Sequence, residues 1–162
     1  MKNLFLLISI LIISCNTSNE NYRQSINLSG NWQFALDTAN IGINKKWFNQ
    51  DLNDSINLPG TTDLNNKGFK NTDTTTMHLS RVYKYEGAAW YREKVVIPEN
   101  FKDKNLHLII ERSKSSKVWI DSTLVGESQL LQSPQKFDVS NYLTPGIHYI
   151  TSVSYTHLTL PT

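Results

Sequence analysis

An alternating stretch in the second half of the chain constrains the fold more than any other feature. Over residues 106–111, large apolar side chains fall on every second position. A polar break at 113–117 separates this run from the extended runs 118–121 and 124–127, which are joined by two residues. Period-two alternation of large apolar and β-branched residues predicts strands. Short polar connections between such runs predict an antiparallel sheet.

Length, charge and cysteine usage narrow the class of protein. A chain of 162 residues fits a single domain with a real hydrophobic core. The net charge is only +2 and the lysines are scattered, so we expect no nucleic-acid partner. The only cysteine is Cys15, which argues against a disulfide framework. The histidines lack metal-ligand spacing, so we expect no metal and no cofactor.

The first 15 residues are typical of a targeting segment. Lys2 precedes an apolar run at 4–13, which is too short to span a bilayer comfortably. The run ends at Cys15 and resembles a bacterial lipoprotein signal, in which that cysteine is lipidated and becomes the new amino terminus. An ordinary secretory signal with a chance cysteine is the alternative. The lipoprotein interpretation implies a membrane-anchored protein of the bacterial cell envelope, periplasmic or at the cell surface, with 16–25 as a polar tether.

The folded part is predicted to begin at Ile26. Residues 26–28 and the alternating set after Gly30 predict a first strand pair, with Gly30 as turn or bulge. Residues 42–54 predict a loop or a single helical turn, and 56–58 a short strand stopped by Pro-Gly. Further strands are predicted at 91–98 and from Phe137. The side chains expected to be mostly buried are Leu28, Trp32, Phe34, Leu58, Val96, Leu108, Ile110, Val118, Ile120 and Val139.

A long polar segment at 61–85 interrupts the strands. Loops of this length inside a compact domain are usually functional or disordered. Sugar recognition uses planar hydrogen-bonding side chains and aromatic faces. The segment and its flank supply such groups at Asp63, Asn65, Asn66, Asn71, Asp73, Tyr83, Tyr85 and Trp90. The alternatives are turn formation by the Asn and Asp side chains, and core packing by the tryptophans.

Five blocks in order resemble the amino-terminal sugar-binding domain of family 2 glycoside hydrolases, the β-galactosidase and β-glucuronidase group. They read NLSGNWQFALD, INLPGTTD, YEGAAWYREKVVIP, ERSKSSKVWIDSTLVGES and FDVSNYLTPGIHYI. Ser122 stands where that family often has glycine. The resemblance covers 26 to about 151. It implies an all-β fold, a jelly-roll or galactose-binding-like sandwich over 26–152, preceded by the signal peptide.

The resemblance also implies a function. The family hydrolyses O-glycosyl bonds with two glutamates on a later (β/α)₈ barrel, which would be the partner of this domain. A retaining glycosidase holds those carboxylates about 5 Å apart. The glutamates of this chain match no acid/base motif, so we predict no catalytic residue here; the ones considered are Glu86, Glu93, Glu99, Glu111 and Glu127.

One loop of the family domain reaches the rim of the active-site pocket. That implies substrate binding by Asn71 and Asp73, with Trp90 as a supporting wall, and a β-linked carbohydrate as ligand. A free-standing carbohydrate-binding lipoprotein and an adhesive sandwich domain are the alternatives.

The carboxyl end is predicted to be foreign. Residues 153–162 look like a translated sequencing-library adapter, which would leave the 26–152 domain incomplete. A natural, divergent strand is the alternative, because Val153, Tyr155 and His157 alternate with polar residues.

Overall fold

The computed structural model describes residues 23–73 and 80–155. Those residues form an all-β structure, as predicted, with short 3₁₀ turns at Trp47–Asn49 and Glu99–Phe101. The strands are β1 Gly30–Asp37, β2 Asp54–Leu58, β3 Phe69–Lys70, β4 Tyr83–Lys84, β5 Ala88–Ile97, β6 His107–Ile110, β7 Ser115–Ile120, β8 Thr123–Ser128, β9 Gln135–Asp138 and β10 Gly146–Tyr155.

The strands form a jelly-roll sandwich. A six-stranded antiparallel sheet has the order β2-β1-β5-β10-β7-β8, and β6 pairs with β9 in a second, two-stranded sheet. A separate hairpin joins β3 and β4. The longest ladder runs between β5 and β10, from Ile97 opposite Gly146 to Ala88 opposite Tyr155. Both strands are rich in β-branched and aromatic residues, which favour the pleated, half-buried setting.

The main core fills the space between the two sheets. Alternate residues of β1 point into it, because successive side chains of a strand face opposite sides. Phe34 and Val118 are fully buried there, and Leu108 and Phe137 cover them from the smaller sheet. The confirmed members of the predicted core are Trp32, Phe34, Leu108, Val118, Ile120 and Val139, while Leu28, Leu58 and Ile110 are half-buried.

A second cluster lies on the other face of the six-stranded sheet. Trp90, Trp119 and Val153 pack there beneath Trp47 and Phe48 of the segment that joins β1 to β2. Phe48 stacks on Trp119 with ring centroids 5.2 Å apart and an interplanar angle of 3°. This segment therefore forms a third layer, and the centre of the large sheet is buried on both sides.

Arg92 links the third layer to the large sheet through hydrogen bonds. Its Nη1 donates to the carbonyl of Phe48 at 2.5 Å and to the hydroxyl of Thr151 at 2.9 Å. The guanidinium also lies 4.1 Å from the ring centroid of Tyr149. Burial lowers the pKa of Arg92 from its ordinary value, and the carboxylate of Asp51 opposes that change.

Two strand predictions were wrong. Val96 is 61% exposed, because Val95 and Ile97 take the inward positions of β5. Residues 26–28 form no strand, and β1 pairs instead with β2, with Gly30 opposite Leu58. Leu28 reaches the core from an irregular segment, where its carbonyl accepts a 2.7 Å hydrogen bond from Trp32 Nε1.

The predicted boundary at 152/153 is not a structural boundary. β10 continues to Tyr155, and Val153 is fully buried between β5 and β7. The foreign origin of 153–162 stays a prediction, and 156–162 lie outside the described residues. The predicted lipidation site Cys15 and the signal at 1–15 also lie outside them. Within the ranges described, no helix has the length and apolar character to cross a membrane.

Candidate functional site

The segment after β2 is anchored to the edge of the large sheet. Asn65 Oδ1 accepts from the amide of Asn57 at 2.9 Å, and its Nδ2 donates to the carbonyls of Asn57 and Thr61 at 3.2 and 2.9 Å. Lys67 Nζ bonds Asp54 Oδ1 at 2.6 Å. This hydrogen bond lowers the pKa of Asp54. Asn65 thus completes the edge of β2, and its side chain takes the place of a neighbouring strand.

Asp63 and Gly68 position the β3–β4 hairpin. The carboxylate of Asp63 accepts from the amide of Tyr83 at 2.7 Å. Gly68 has φ +123° and lies so close to β4 that a Cβ there would be 2.8 Å from the carbonyl oxygen of Lys84. Only glycine tolerates that combination of dihedral and contact. The β3–β4 hairpin is therefore regular secondary structure within the segment 61–85, which was predicted to be a loop.

The structure brings Asn71 and Asp73 together on this hairpin. The backbone amide of Asn71 donates to Val82 at 2.8 Å, and its Nδ2 donates to the carbonyl of Arg81 at 3.0 Å. Its Oδ1 accepts from the amide of Asp73 at 3.0 Å. The Asn71 amide therefore helps to close the hairpin backbone, and sugar contact by these two residues stays a prediction.

Two aromatic side chains grouped with this loop are buried. Tyr85 donates its hydroxyl to the carbonyl of Ala88 at 2.8 Å, and burial raises its pKa. Trp90 is fully buried: its Nε1 donates to Asp37 Oδ2 at 3.1 Å and its ring stacks on Trp119. A ring with no exposed face cannot stack on a sugar in this conformation. Trp90 therefore supports the fold beneath the third layer and is not itself a wall of a binding surface.

A hollow of about 320 Å³ opens beside the hairpin. Phe69 is 66% exposed there, although it is a large aromatic residue. The ammonium of Lys84 pairs with the carboxylate of Glu86 at 3.3 Å. Phe69 was not among the residues predicted for this loop. The available signal was a lone aromatic residue directly after a glycine in a polar segment. The lining residues are Phe69, Lys70, Asn71, Thr72, Lys84, Tyr85 and Glu86.

A larger cleft of about 760 Å³ lies between the six-stranded sheet and β6. Its walls are mostly apolar, with Trp32 and Ile150 on one side and Leu108 and Ile110 on the other. Tyr91 also lines it, and burial raises the pKa of that phenol to about 12. A core-facing phenol at this position is held in its neutral form.

Tyr91 makes the stability of the fold pH-dependent at alkaline pH. The pKa of an unfolded tyrosine is about 10, below the value of about 12 in the folded chain. The folded state therefore keeps the Tyr91 proton up to a higher pH than the unfolded state does. The neutral phenol therefore contributes up to roughly 2–3 kcal/mol of stability. This contribution is fully present below about pH 10 and is lost as the pH rises towards 12.

We expect Tyr91→Phe to reduce the loss of stability at alkaline pH (the alkaline limb), as measured by urea unfolding between about pH 8 and about pH 11.5. Tyr142→Phe, which removes a phenol elsewhere, is the matched control. An unchanged alkaline limb in Tyr91→Phe would contradict the assignment.

The carboxylates of the described residues occupy separate positions on the sandwich. Glu127 pairs with Lys117 at 2.8 Å, and this contact raises the pKa of Lys117. Burial raises the pKa of Glu93 on the core side of β5. In the described ranges, no group of three or more His, Cys, Asp or Glu residues could hold a metal ion. The structure thus places Glu93 and Glu127 in strands, Glu99 in a 3₁₀ turn, and Glu86 and Glu111 in connecting segments.

The described residues form an all-β jelly-roll module with a separate two-stranded hairpin. The family model described as "Glycosyl hydrolases family 2, sugar binding domain" matches residues 25–157. The chain belongs to that family.

Two curated relatives agree with this assignment. The chain is 26% identical over 125 residues to a β-glucuronidase of Paenibacillus borealis, covering 76% of this chain and 20% of the relative. It is 25% identical over 127 residues to a β-galactosidase of Klebsiella pneumoniae (strain 342), covering 74% of this chain and 12% of the relative. The chain thus spans a fifth or less of the length of these two relatives.

Solved structures share the fold. The β-glucuronidase from Ruminococcus gnavus in complex with D-glucaro 1,5-lactone superposes with a TM-score of 0.65 at 21% identity, covering 82% of this chain and 22% of that one. The β-glucuronidase of an uncultured Clostridium sp. gives a TM-score of 0.67 at 21% identity, covering 84% and 23%. Both likenesses support the sandwich architecture.

Proposed function

We propose that this sugar-binding domain serves a longer glycosidase that hydrolyses O-glycosyl bonds with a downstream catalytic barrel. The observation that carries the proposal is the family match over 25–157 in a chain that covers about a fifth of a β-glucuronidase. The hydrolytic groups would lie on the barrel, since the glutamates described here lie on different strands and connecting segments. The carbohydrate substrate would then be held partly by this domain.

The genomic DNA of the source tests the proposal. A reading frame that continues in frame into a barrel with paired glutamates would support it. A stop codon soon after the sandwich would overturn it, and would favour a free-standing carbohydrate-binding or adhesive domain. The same read decides the origin of residues 153–162.

Within that enzyme, we propose that the β3–β4 hairpin meets the substrate through Asn71 and Asp73. Both residues directly follow β3, in a hairpin whose position is fixed by contacts of Asp63 and Gly68. Fixed polar groups on a rigid base are suited to orient hydroxyl groups.

Asp73→Ala in the full-length enzyme is expected to lower kcat/KM by about ten- to a hundredfold. A hydrogen bond to a charged group contributes roughly 1.5–3 kcal/mol, and each 1.4 kcal/mol is about a factor of ten. Asp73 is exposed, so the melting temperature should barely move. Glu99→Ala, at an exposed turn distant in sequence, is the control. Unchanged kinetics would mean that the hairpin only covers the sandwich and does not contact the substrate.

We propose further that Cys15 carries lipid and holds the protein at the bacterial cell envelope. The apolar run at 4–13 ending at a small residue and a cysteine supports this. Labelled palmitate should be incorporated by cells expressing the chain, and Cys15→Ala should abolish the incorporation. Label that persists in the variant would refute lipidation at that residue.

A further inference from the structure

We propose that the unpaired edge of β6 is the docking site of a further strand, supplied by the native residues that follow β10 in the longer protein. That strand would run antiparallel to β6 and fill the cleft of about 760 Å³. The inference rests on the proposed function, since it needs a chain that continues beyond the sandwich.

The two sheets of the sandwich are unequal. The large sheet has six strands, whereas β6 pairs only with β9 among the residues described. Three neighbouring strands of the large sheet line the cleft with Trp32, Tyr91 and Ile150. The opposite wall is formed by β6 and residues 111–113, and β9 contributes nothing to it. The cleft therefore follows the side of β6 that faces away from β9.

The backbone of β6 carries hydrogen-bonding groups on that free side. The carbonyl of Leu106 accepts from the amide of Val139 at 3.0 Å, so Leu106 is directed towards β9. Successive residues of an antiparallel strand alternate in the direction of these groups. The amides and carbonyls of His107 and Ile109 therefore point into the cleft side. A row of such groups is a ready template for pairing with another strand.

The edge of β2 shows how this domain protects a strand that has no neighbour. There the side-chain amide of Asn65 bonds the backbone of Asn57 at 2.9 and 3.2 Å. Beside β6, the described side chains bond the backbone at Leu106 alone, through Ser140. Ile109 is also 58% exposed. The edge of β6 is thus apolar and uncapped, which is the state of an edge that a strand completes.

The course of β10 indicates which strand this is. Ser154 lines the cleft, and its hydroxyl group lies 2.7 Å from that of Ser113. Ser113 stands three residues after the end of β6. A chain that continues past Tyr155 is therefore already beside the carboxyl end of β6, and a turn there would send it back along β6 in the antiparallel direction.

The lining indicates the kind of sequence that fits. Leu28, Leu58 and Ile110 are half-buried in the walls of the cleft. Ser152 and Ser154 supply hydroxyl groups from β10. We therefore expect small or polar residues where the incoming chain passes these serines, followed by alternating residues whose apolar side chains face the large sheet.

Hydrogen–deuterium exchange read by mass spectrometry tests the proposal. The 162-residue chain is compared with the full-length enzyme translated from the genomic reading frame. We expect peptide 106–111 to exchange at least about tenfold more slowly in the full-length enzyme, because the outward amides of β6 are then bonded. Peptide 54–58 is the matched control. Its edge is already occupied by Asn65, so its exchange should be the same in both proteins.

Two variants of the full-length enzyme separate backbone pairing from side-chain packing. Ile109→Pro removes an amide hydrogen on the free side of β6 and leaves the bonds to β9 in place. It should return the remaining amides of 106–111 to within about twofold of the exchange rate in the 162-residue chain. Ile109→Thr keeps the amide and the β-branch, so slow exchange should persist. If Ile109→Pro does not fold, the comparison of the two unmodified proteins still decides the question.

The other outcomes overturn the proposal in distinct ways. Equally fast exchange of 106–111 in both proteins would leave the edge free in the enzyme, without affecting the proposed glycosidase function. Protection already present in the 162-residue chain would assign the edge to a second copy if it grows with protein concentration, and to the amino-terminal residues if it does not. A reading frame that stops after the sandwich would overturn the proposed function, and the strand with it.

Discussion

Trp90→Ala is expected to lower the free energy of unfolding by about 3–5 kcal/mol, the range for removing a buried tryptophan. The indole is fully buried and contacts Trp119 at 5.3 Å and Trp47 at 6.1 Å between ring centroids. Alanine would leave a cavity between the sheet and the third layer, together with a lost hydrogen bond to Asp37. Domains have a total stability of about 5–15 kcal/mol, so the variant would lose a large fraction of its stability.

Urea unfolding of the purified variants measures the effect. Trp90→Phe keeps most of the ring packing, so its smaller loss reports mainly the missing donor to Asp37. Val96→Ala, on the same strand but 61% exposed, should change stability by no more than about 0.5 kcal/mol. Equal losses in Trp90→Ala and Val96→Ala would contradict the burial of Trp90.

Asp37→Asn is expected to cost about 2–4 kcal/mol, although the side chains have nearly the same shape. Asp37 is 3% exposed, and its oxygens accept from the amide of Ile41 at 2.8 Å, the amide of Gly42 at 2.8 Å and Trp90 Nε1 at 3.1 Å. An asparagine has one acceptor oxygen, and its NH₂ group would face a buried donor. At least one N–H of the third layer would then be left without an acceptor.

The control for this variant is Asp103→Asn. Asp103 is exposed in a turn with φ +58°, where asparagine is equally well tolerated. We expect a change within about 0.5 kcal/mol. The melting temperatures of both variants, measured side by side, test the claim. A negligible loss in Asp37→Asn would mean that water satisfies the amides of the β1–β2 segment.

Local alternation was sufficient to predict most of the sandwich. The run at 106–111 placed Leu108 inward, and the structure leaves Ile109 58% exposed on the opposite face. The prediction for Val96 was wrong because residues 95–97 are all apolar. Such a run does not show which of the three side chains point inward. Part of the outer face of the large sheet is buried as well. β5 therefore carries apolar residues on both faces, and a simple alternation of apolar and polar positions does not show which of them point into the main core.

The burial of Trp90, which was predicted to be part of the site, was harder to predict because its partners are distant in the chain. Trp90 finds Asp37 across 53 residues and is covered by Trp47 and Phe48, contacts that no local pattern contains. In contrast, composition alone placed Asn71 and Asp73 on the same polar loop, and their predicted contact with substrate came from the family resemblance. The hairpin inside that loop was missed, since β3 and β4 have only two residues each.

The division of the tryptophans between the two faces of the large sheet gives the domain a built-in optical readout. Trp47, Trp90 and Trp119 lie together in the outer cluster, while Trp32 lies alone in the main core. Near-ultraviolet circular dichroism should be dominated by the stacked indoles, whose transitions couple at 5.3 Å. A Trp32→Phe variant would then emit only from the outer cluster. Detachment of the third layer could be distinguished spectroscopically from collapse of the sandwich, without any attached label.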